Sequence, residues 1–242
     1  KNSGKYQNIQ KDFQELLGNF KKELSPFSVD CRLRPEGASS QLVWDFEKYV
    51  EYLNTRARIW ELQAFLKASF ISGNEKLFVK LSETFQQRVS KLSENEVANG
   101  IKEIRTKSAS SFPSEMNLID LKKSSGGLND IEYVAHYYLL SAAKLDFKLI
   151  GESIPQILSQ LSTQSKQKKV LNELADNYIF IKNLEIFNQL AFSSSSSKLS
   201  TEENKFEKLG RLMELESGAS LKKKLDSVLQ FNRESYSAII RK

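Results

Sequence analysis

One aspartate and two arginines alternate with apolar residues in the stretch Phe27-Ser-Val-Asp-Cys-Arg-Leu-Arg-Pro-Glu-Gly37. A carboxylate beside two guanidiniums can hold a metal ion next to a polyphosphate, because the planar guanidinium fork donates paired hydrogen bonds to phosphate oxygens. The alternation predicts a strand over 27–34. Phe27, Val29, Cys31 and Leu33 would lie on its buried face, and Asp30, Arg32 and Arg34 on the other, about 6–7 Å apart. Pro35 and Gly37 end the pattern. An edge strand with a solvated charged face has the same pattern, so the spacing leaves both readings open.

Two further clusters carry polar chemistry. In Arg58-Ile-Trp-Glu-Leu-Gln-Ala-Phe-Leu-Lys67 a helix places Glu61 over Arg58 and Phe65, and Gln63 beside Lys67. Buried Glu61 and Gln63 would need partners; an amphipathic helix with an exposed ion pair reads the same way. In Asp120-Leu-Lys-Lys-Ser-Ser-Gly-Gly-Leu-Asn-Asp-Ile-Glu132 a strand end passes through Gly126 and Gly127 into a helix start, where free N–H groups attract phosphate. Neither a P-loop nor a Rossmann fingerprint is present. Asp130 and Glu132 place negative charge at the helix start, which suits a metal, a cap or an arginine partner better than a bare phosphate. A simple capped turn fits as well.

His136 and Cys31 are the only residues of their types among 242. No internal disulfide can form, a Cys/His zinc cluster is excluded, and a reducing compartment fits. A lone histidine without a serine or cysteine nucleophile makes no triad, so His136 reads as structural. Cys31 reads as a small core residue. Apolar residues make up 40%, enough for a core, and the net charge is +6 with basic and acidic residues intermixed, so no block resembles a nucleic-acid arm. No apolar run is long enough to span a bilayer, and no secretory signal opens the chain. The expectation is a soluble cytoplasmic protein that does not bind membrane or nucleic acid.

The elements that must position these clusters are mostly helical. Phe13, Leu16, Leu17, Phe20 and Leu24 form one stripe of a helix over 6–24 that Ser25-Pro26 ends. A short segment at Leu42-Val43 could pair with the first strand as a hairpin. Asp45 is the expected N-cap of a helix to about 53. Helices follow over about 57–70, 75–92 and 95–107, then a loop over 108–114. Residues 116–122 read as a short strand. Further helices are expected from about 129, over 154–162 with Pro155 in the first turn, 166–192, 202–215 and 219–240. The run Ser193–Ser197 reads as a flexible linker or loop, and Gly218 as the separator of the last two helices. The fold class is mainly α, with a remnant of an α/β sheet near the N-terminus followed by a helical bundle, divided into 1–110 and 111–242. A lone strand or hairpin is not stable by itself. It must pack on helices or find sheet partners outside this chain.

Together the three clusters resemble the glutamine synthetase adenylyltransferase (glutamate–ammonia-ligase adenylyltransferase) family. Val29-Asp-Cys-Arg-Leu-Arg-Pro-Glu-Gly37 resembles its VD-x-RLRP-x-G strand. Trp60-Glu-Leu-Gln-Ala-Phe-Leu-Lys-Ala68 resembles its WE-x-QAL-x-x-A helix. Asp120-Leu-Lys122 with Gly126-Gly-Leu-Asn-Asp-Ile-Glu-Tyr133 resembles its D-[IL]-K…GG-[IL]-x-DIE-[FY] segment. Specific support covers about 27–140; beyond 150 the likeness is one of helical pattern.

The resemblance implies a nucleotidyltransferase fold followed by a helical domain. It also implies transfer of AMP from ATP to a tyrosine of glutamine synthetase, or its phosphorolytic removal, under control of a PII-type signalling protein in nitrogen metabolism. Asp30 would then be the catalytic metal ligand for Mg²⁺. Arg32, Arg34 and Lys122 would contact nucleotide phosphates, with Glu61, Gln63, Gly126, Gly127, Asp130 and Glu132 in support. The chain departs from the family by having no Asp-x-Asp pair, which supplies the first two metal-binding carboxylates, and by Ser124 and Ser125 where members often carry Gly and Arg. It therefore reads as a C-terminal piece of a longer enzyme or a degenerate copy, inactive alone. A Gly-Ser…Asp-x-Asp segment encoded upstream would support the first. Three alternatives differ in class or substrate: a non-catalytic helical module that binds a protein, a PII uridylyltransferase-like protein, and a basic nucleic-acid binder motivated only by the charge.

Overall fold

The computed structural model describes residues 3–24, 29–110, 117–142 and 147–240. Its helices are α1 (Ser3–Glu23), α2 (Phe46–Thr55), α3 (Ile59–Phe65), α4 (Glu75–Val89), α5 (Glu94–Ser110), α6 (Leu128–Leu140), α7 (Ile154–Ser162), α8 (Lys168–Phe192), α9 (Glu203–Leu212) and α10 (Gly218–Ile240). Two strands, β1 (Leu118–Asp120) and β2 (Lys198–Ser200), pair antiparallel, with Ile119 opposite Leu199. The class is mainly α, as the patterns predict. Among the described residues no helix is long and apolar enough to cross a membrane.

Residues 29–34 form no strand, and 41–44 form no hairpin with them. A strand needs a neighbour to take its N–H and C=O groups. Without one, the segment folds its polar groups onto itself: Arg32 N–H donates to Asp30 Oδ1 at 2.9 Å, Arg34 N–H to Arg32 O at 2.9 Å and Gly37 N–H to Arg34 O at 2.9 Å. Phe27, Ser28 and the Ser25-Pro26 stop lie outside the described residues, as do 111–114 of the expected loop. Residues 108–110 instead continue α5.

Local chemistry accounts for most helix ends. Asp45 caps α2 by accepting Lys48 N–H at 3.2 Å, and Asn74 caps α4 by accepting Lys76 N–H at 3.1 Å. Ser93 and Glu96 form a reciprocal capping box at the start of α5. Helix α3 stops at Phe65, short of the expected 70, because the tertiary structure claims its end. Gly151 N–H donates to Leu66 O at 2.8 Å, so the loop before α7 takes a carbonyl that a longer helix would use.

The core forms where α6 meets α5, α7, α8 and α10, with α9 lying along α10 and α2 on α4. Leu121, Ile131, Val134, Leu158, Leu171, Leu184 and Leu225 are fully buried there. The serine run is an ordered return rather than a slack linker. Ser193 adopts the left-handed conformation that ends α8, and Ser197 O accepts Leu121 N–H at 3.0 Å beside β1. Gly218 is the first residue of α10, and a Cβ there would lie 2.6 Å from Glu207 N, so α9 and α10 meet because it has none.

Candidate functional site

Asp30 stands at the surface in the grip of Arg32. The guanidinium donates Nε to both carboxylate oxygens at 2.9 Å and a terminal nitrogen to Oδ2 at 2.6 Å. That side-chain contact first, and the backbone bond second, hold the Asp30 carboxyl down at about 2. Arg34 turns away from Asp30. Its guanidinium donates to Cys31 O, to Ala38 O at 2.9 Å and to Ser40 O at 3.0 Å, cross-linking the turn from within. The arrangement of all three groups on one strand face therefore does not occur. Cys31 is half-buried rather than in the core.

Glu61 fastens this turn to the helices. Its side chain is nearly buried; Oε1 accepts Tyr52 O–H at 2.6 Å and Glu36 N–H at 3.0 Å, while Oε2 accepts Arg58 N–H at 2.9 Å. Burial, reinforced by this carboxylate, pushes the Tyr52 phenol up to about 12. Glu36 sits in the left-handed region at φ 61° and pairs with Arg56 at 3.0 Å. Gln63 is buried with no partner for its Nε2 among the described residues. A cavity of about 190 Å³ opens between the turn and the helices, lined in part by Arg34, Pro35, Tyr49, Tyr52 and Trp60. Asp30 is not among its lining residues.

The third cluster is a clasp. Asp130 is 3% exposed and receives Arg105 Nε at 2.6 Å, a second Arg105 nitrogen at 2.9 Å and Gly126 N–H at 2.7 Å. It has the arginine partner and the capping role that its position suggests. Arg105 also lies 4.5 Å over the Tyr236 ring. The N–H groups expected to welcome a phosphate are already bonded: Gly127 to Ser124 O, Leu128 to Leu121 O and Asn129 to Lys122 O, at 2.8–3.0 Å. Gly126 has φ +85°, and a Cβ on it would lie 1.9 Å from Leu229 O of α10. Buried Asp120 accepts Lys122 N–H, Lys123 N–H and Ser197 Oγ, while the Lys122 side chain stays exposed.

Lys67 does not stay with Gln63. It crosses to α6 and pairs with Glu132 at 2.8 Å. Although burial, the largest influence, opposes ionisation of Glu132, Lys67 with smaller help from His136 and Lys122 outweighs it and keeps the carboxyl below the usual range. Tyr178 O–H points at the other oxygen of Glu132 from 3.4 Å. His136, one turn on, is 4% exposed; its Nδ1 has no partner among the described residues, and burial lowers it to about 4. The first two clusters thus meet through Glu61, and the second and third through Lys67 and Glu132. Asp30 joins neither contact. Among the described residues no three His, Cys, Asp or Glu side chains converge on a metal position, and both oxygens of Asp30 are held by Arg32, so these residues by themselves do not fit Mg²⁺.

Tyr52, Arg105 and Tyr178 escape a sequence reading because their partners lie in other elements. Asp120 heads the third cluster, and two of its donors, Lys122 N–H and Lys123 N–H, are local, as for an aspartate followed by a turn.

The comparisons with known proteins cover the stretch in which the first two clusters lie. A family profile described as Glutamate-ammonia ligase adenylyltransferase matches residues 5–84. The chain is 37% identical over 120 residues to a bifunctional glutamine synthetase adenylyltransferase/adenylyl-removing enzyme from Shewanella woodyi, covering 48% of this chain and 12% of the relative. Its counterpart in Shewanella frigidimarina is 36% identical over 120 residues, with the same 48% and 12% coverage. The resemblance is to the glutamine synthetase adenylyltransferase family. The profile match spans the stretch that contains Asp30, Arg34 and Glu61 and ends before the third cluster. The matched segment is a small part of those relatives.

Proposed function

We propose that this chain is part of a glutamine synthetase adenylyltransferase or adenylyl-removing unit, acting in the cytoplasm under control of a PII-type protein. The reading divides it into 1–110, the end of a nucleotidyltransferase domain with its helical extension, and 111–242, a helical domain. Asp30 would be one carboxylate of a Mg²⁺ site completed by residues that these 242 do not include; by itself it is insufficient. Arg32 would hold Asp30 ionised, Arg34 would keep the turn in shape through its bonds to Cys31 O, Ala38 O and Ser40 O, and Arg32 and the exposed Lys122 would face ATP phosphates. The single observation that carries the reading is the Arg-Leu-Arg-Pro turn, docked through Glu61 onto the Trp60 helix inside the segment that the family profile matches. The chain alone would then be non-catalytic.

The test is a transplant. The matching segment of the Shewanella woodyi enzyme is replaced by residues 5–84 of this chain, and AMP transfer from ATP to glutamine synthetase and phosphorolytic removal of AMP from it are both measured. The expected result is a chimera that keeps both activities and loses about a hundredfold or more of one of them on Asp30→Asn, as the loss of a metal ligand predicts. A folded chimera, shown by its circular dichroism, that lacks both activities would overturn the reading. So would an Asp30→Asn chimera with both activities at full strength.

A further inference from the structure

Helix α2 belongs to none of the three sequence clusters, yet its end holds the turn that carries Asp30. Tyr52 is buried. Its hydroxyl donates to Glu61 Oε1 at 2.6 Å and accepts Glu36 N–H at 3.2 Å, and the same N–H reaches Glu61 Oε1 at 3.0 Å. Arg56, one turn on, pairs with the Glu36 carboxylate at 3.0 Å while its guanidinium lies 5.0 Å over the Tyr52 ring. Glu36 is thus held by main chain and side chain at once. It is a non-glycine residue at φ 61°, a conformation that is costly for a side chain and persists where the surroundings over-determine it.

The hold passes along the turn to Asp30. Gly37 N–H donates to Arg34 O at 2.9 Å, and the Arg34 guanidinium ties Cys31 O to Ala38 O and Ser40 O. Asp30 directly precedes Cys31. Among the described residues Arg32 is the only hydrogen-bonding partner of its carboxylate, so no such bond joins it to the helices directly. We infer that Tyr52 is a positioning residue for the Asp30 carboxylate, acting through Glu36 N–H and the cross-linked turn, with Arg56 as a second hold. The hold itself is independent of the adenylyltransferase reading; its effect on catalysis rests on that reading. A displacement of about 1 Å costs roughly a hundredfold where a group must meet reacting atoms. Removing one of two acceptors from Glu36 N–H loosens the turn without releasing it, so about a tenfold loss is expected.

Two measurements test this. Backbone order parameters of residues 30–37 are measured by NMR in the whole chain. Tyr52→Phe should lower them from the rigid range, about 0.85, to about 0.6, with those of α8 and α10 unchanged. Glu36→Gly is the second variant. Glycine adopts φ 61° freely, so the turn can still form, but the Arg56 hold is lost and the same drop is expected. In the Shewanella woodyi chimera, Tyr52→Phe should lower the Asp30-dependent activity about tenfold in kcat with KM for ATP within about twofold, and leave the other activity at the parent chimera's level. Unchanged order parameters in either variant overturn the inference. A Tyr52→Phe chimera with full kcat, where Asp30→Asn is defective, does so too, as does equal loss of both activities. Asp30→Asn without effect overturns the adenylyltransferase reading instead, and the catalytic part of the inference with it.

Discussion

Glu61 and Asp130 are acidic residues of the family-like clusters, and each binds several donors within the fold. Glu61 accepts from Tyr52, Glu36 and Arg58, so Glu61→Gln removes the charge from a buried set of donors and should lower the unfolding free energy by about 2 kcal/mol in denaturant melts. Tyr52→Phe should cost about 1 kcal/mol, and the double variant less than the sum, because one bond is shared. Arg105→Ala leaves Asp130 charged and buried at 3% exposure, with an expected cost of about 3–5 kcal/mol. His136 carries a pH signature. Its pKa is about 4 in the fold against 6.5 unperturbed, so the unfolded chain binds the extra proton between those values. Its contribution to stability is therefore complete above pH 6.5 and falls away toward pH 4, by on the order of 3 kcal/mol. Stability measured across that window in wild type and His136→Asn should show the slope flattened in the variant; equal slopes would refute the assignment.

At the scale of elements, helices with their own caps behave as their sequence predicts. Asp45, Asn74 and Pro155 each sit where a helix starts, and α2, α4 and α7 begin there. The exceptions are elements whose limits are decided from afar. Helix α3 ends where Gly151 takes Leu66 O, and β2 exists because β1 lies beside it, not because Lys-Leu-Ser is a strong strand. The segment 29–34 is the converse case. Its alternation is a good strand pattern, yet with no neighbouring strand among the described residues it is a turn cross-linked by Arg34. Gly126→Ala tests the junction of the β1–α6 turn with α10. The positive φ and the 1.9 Å approach to Leu229 O predict a loss of about 3 kcal/mol or more in thermal or denaturant unfolding.

For the whole molecule, the division is between a packed helical body and a loosely engaged N-terminal helix. Ile9, Phe13, Leu16, Phe20 and Leu24 are 40–53% exposed along α1, so the Leu16→Lys/Phe20→Lys double variant should change the melting of the helical body by no more than about 0.5 kcal/mol. A large loss would show that the stripe packs on the body after all. Helix positions, the mainly α class and the three polar clusters could be read from the sequence, because periodicity, caps and turn residues act over a few positions. What those clusters hold could not. Lys67 with Glu132, Arg105 with Asp130 and Glu61 with Tyr52 are contacts between elements, and a side chain's partner across the core depends on how helices pack, which no local pattern encodes. The sequence by itself determined that Asp30 would stand among arginines. Only the tertiary structure decided that Arg32 alone grips it, because a strand's regular face requires a neighbouring strand and none lies beside this segment among the described residues.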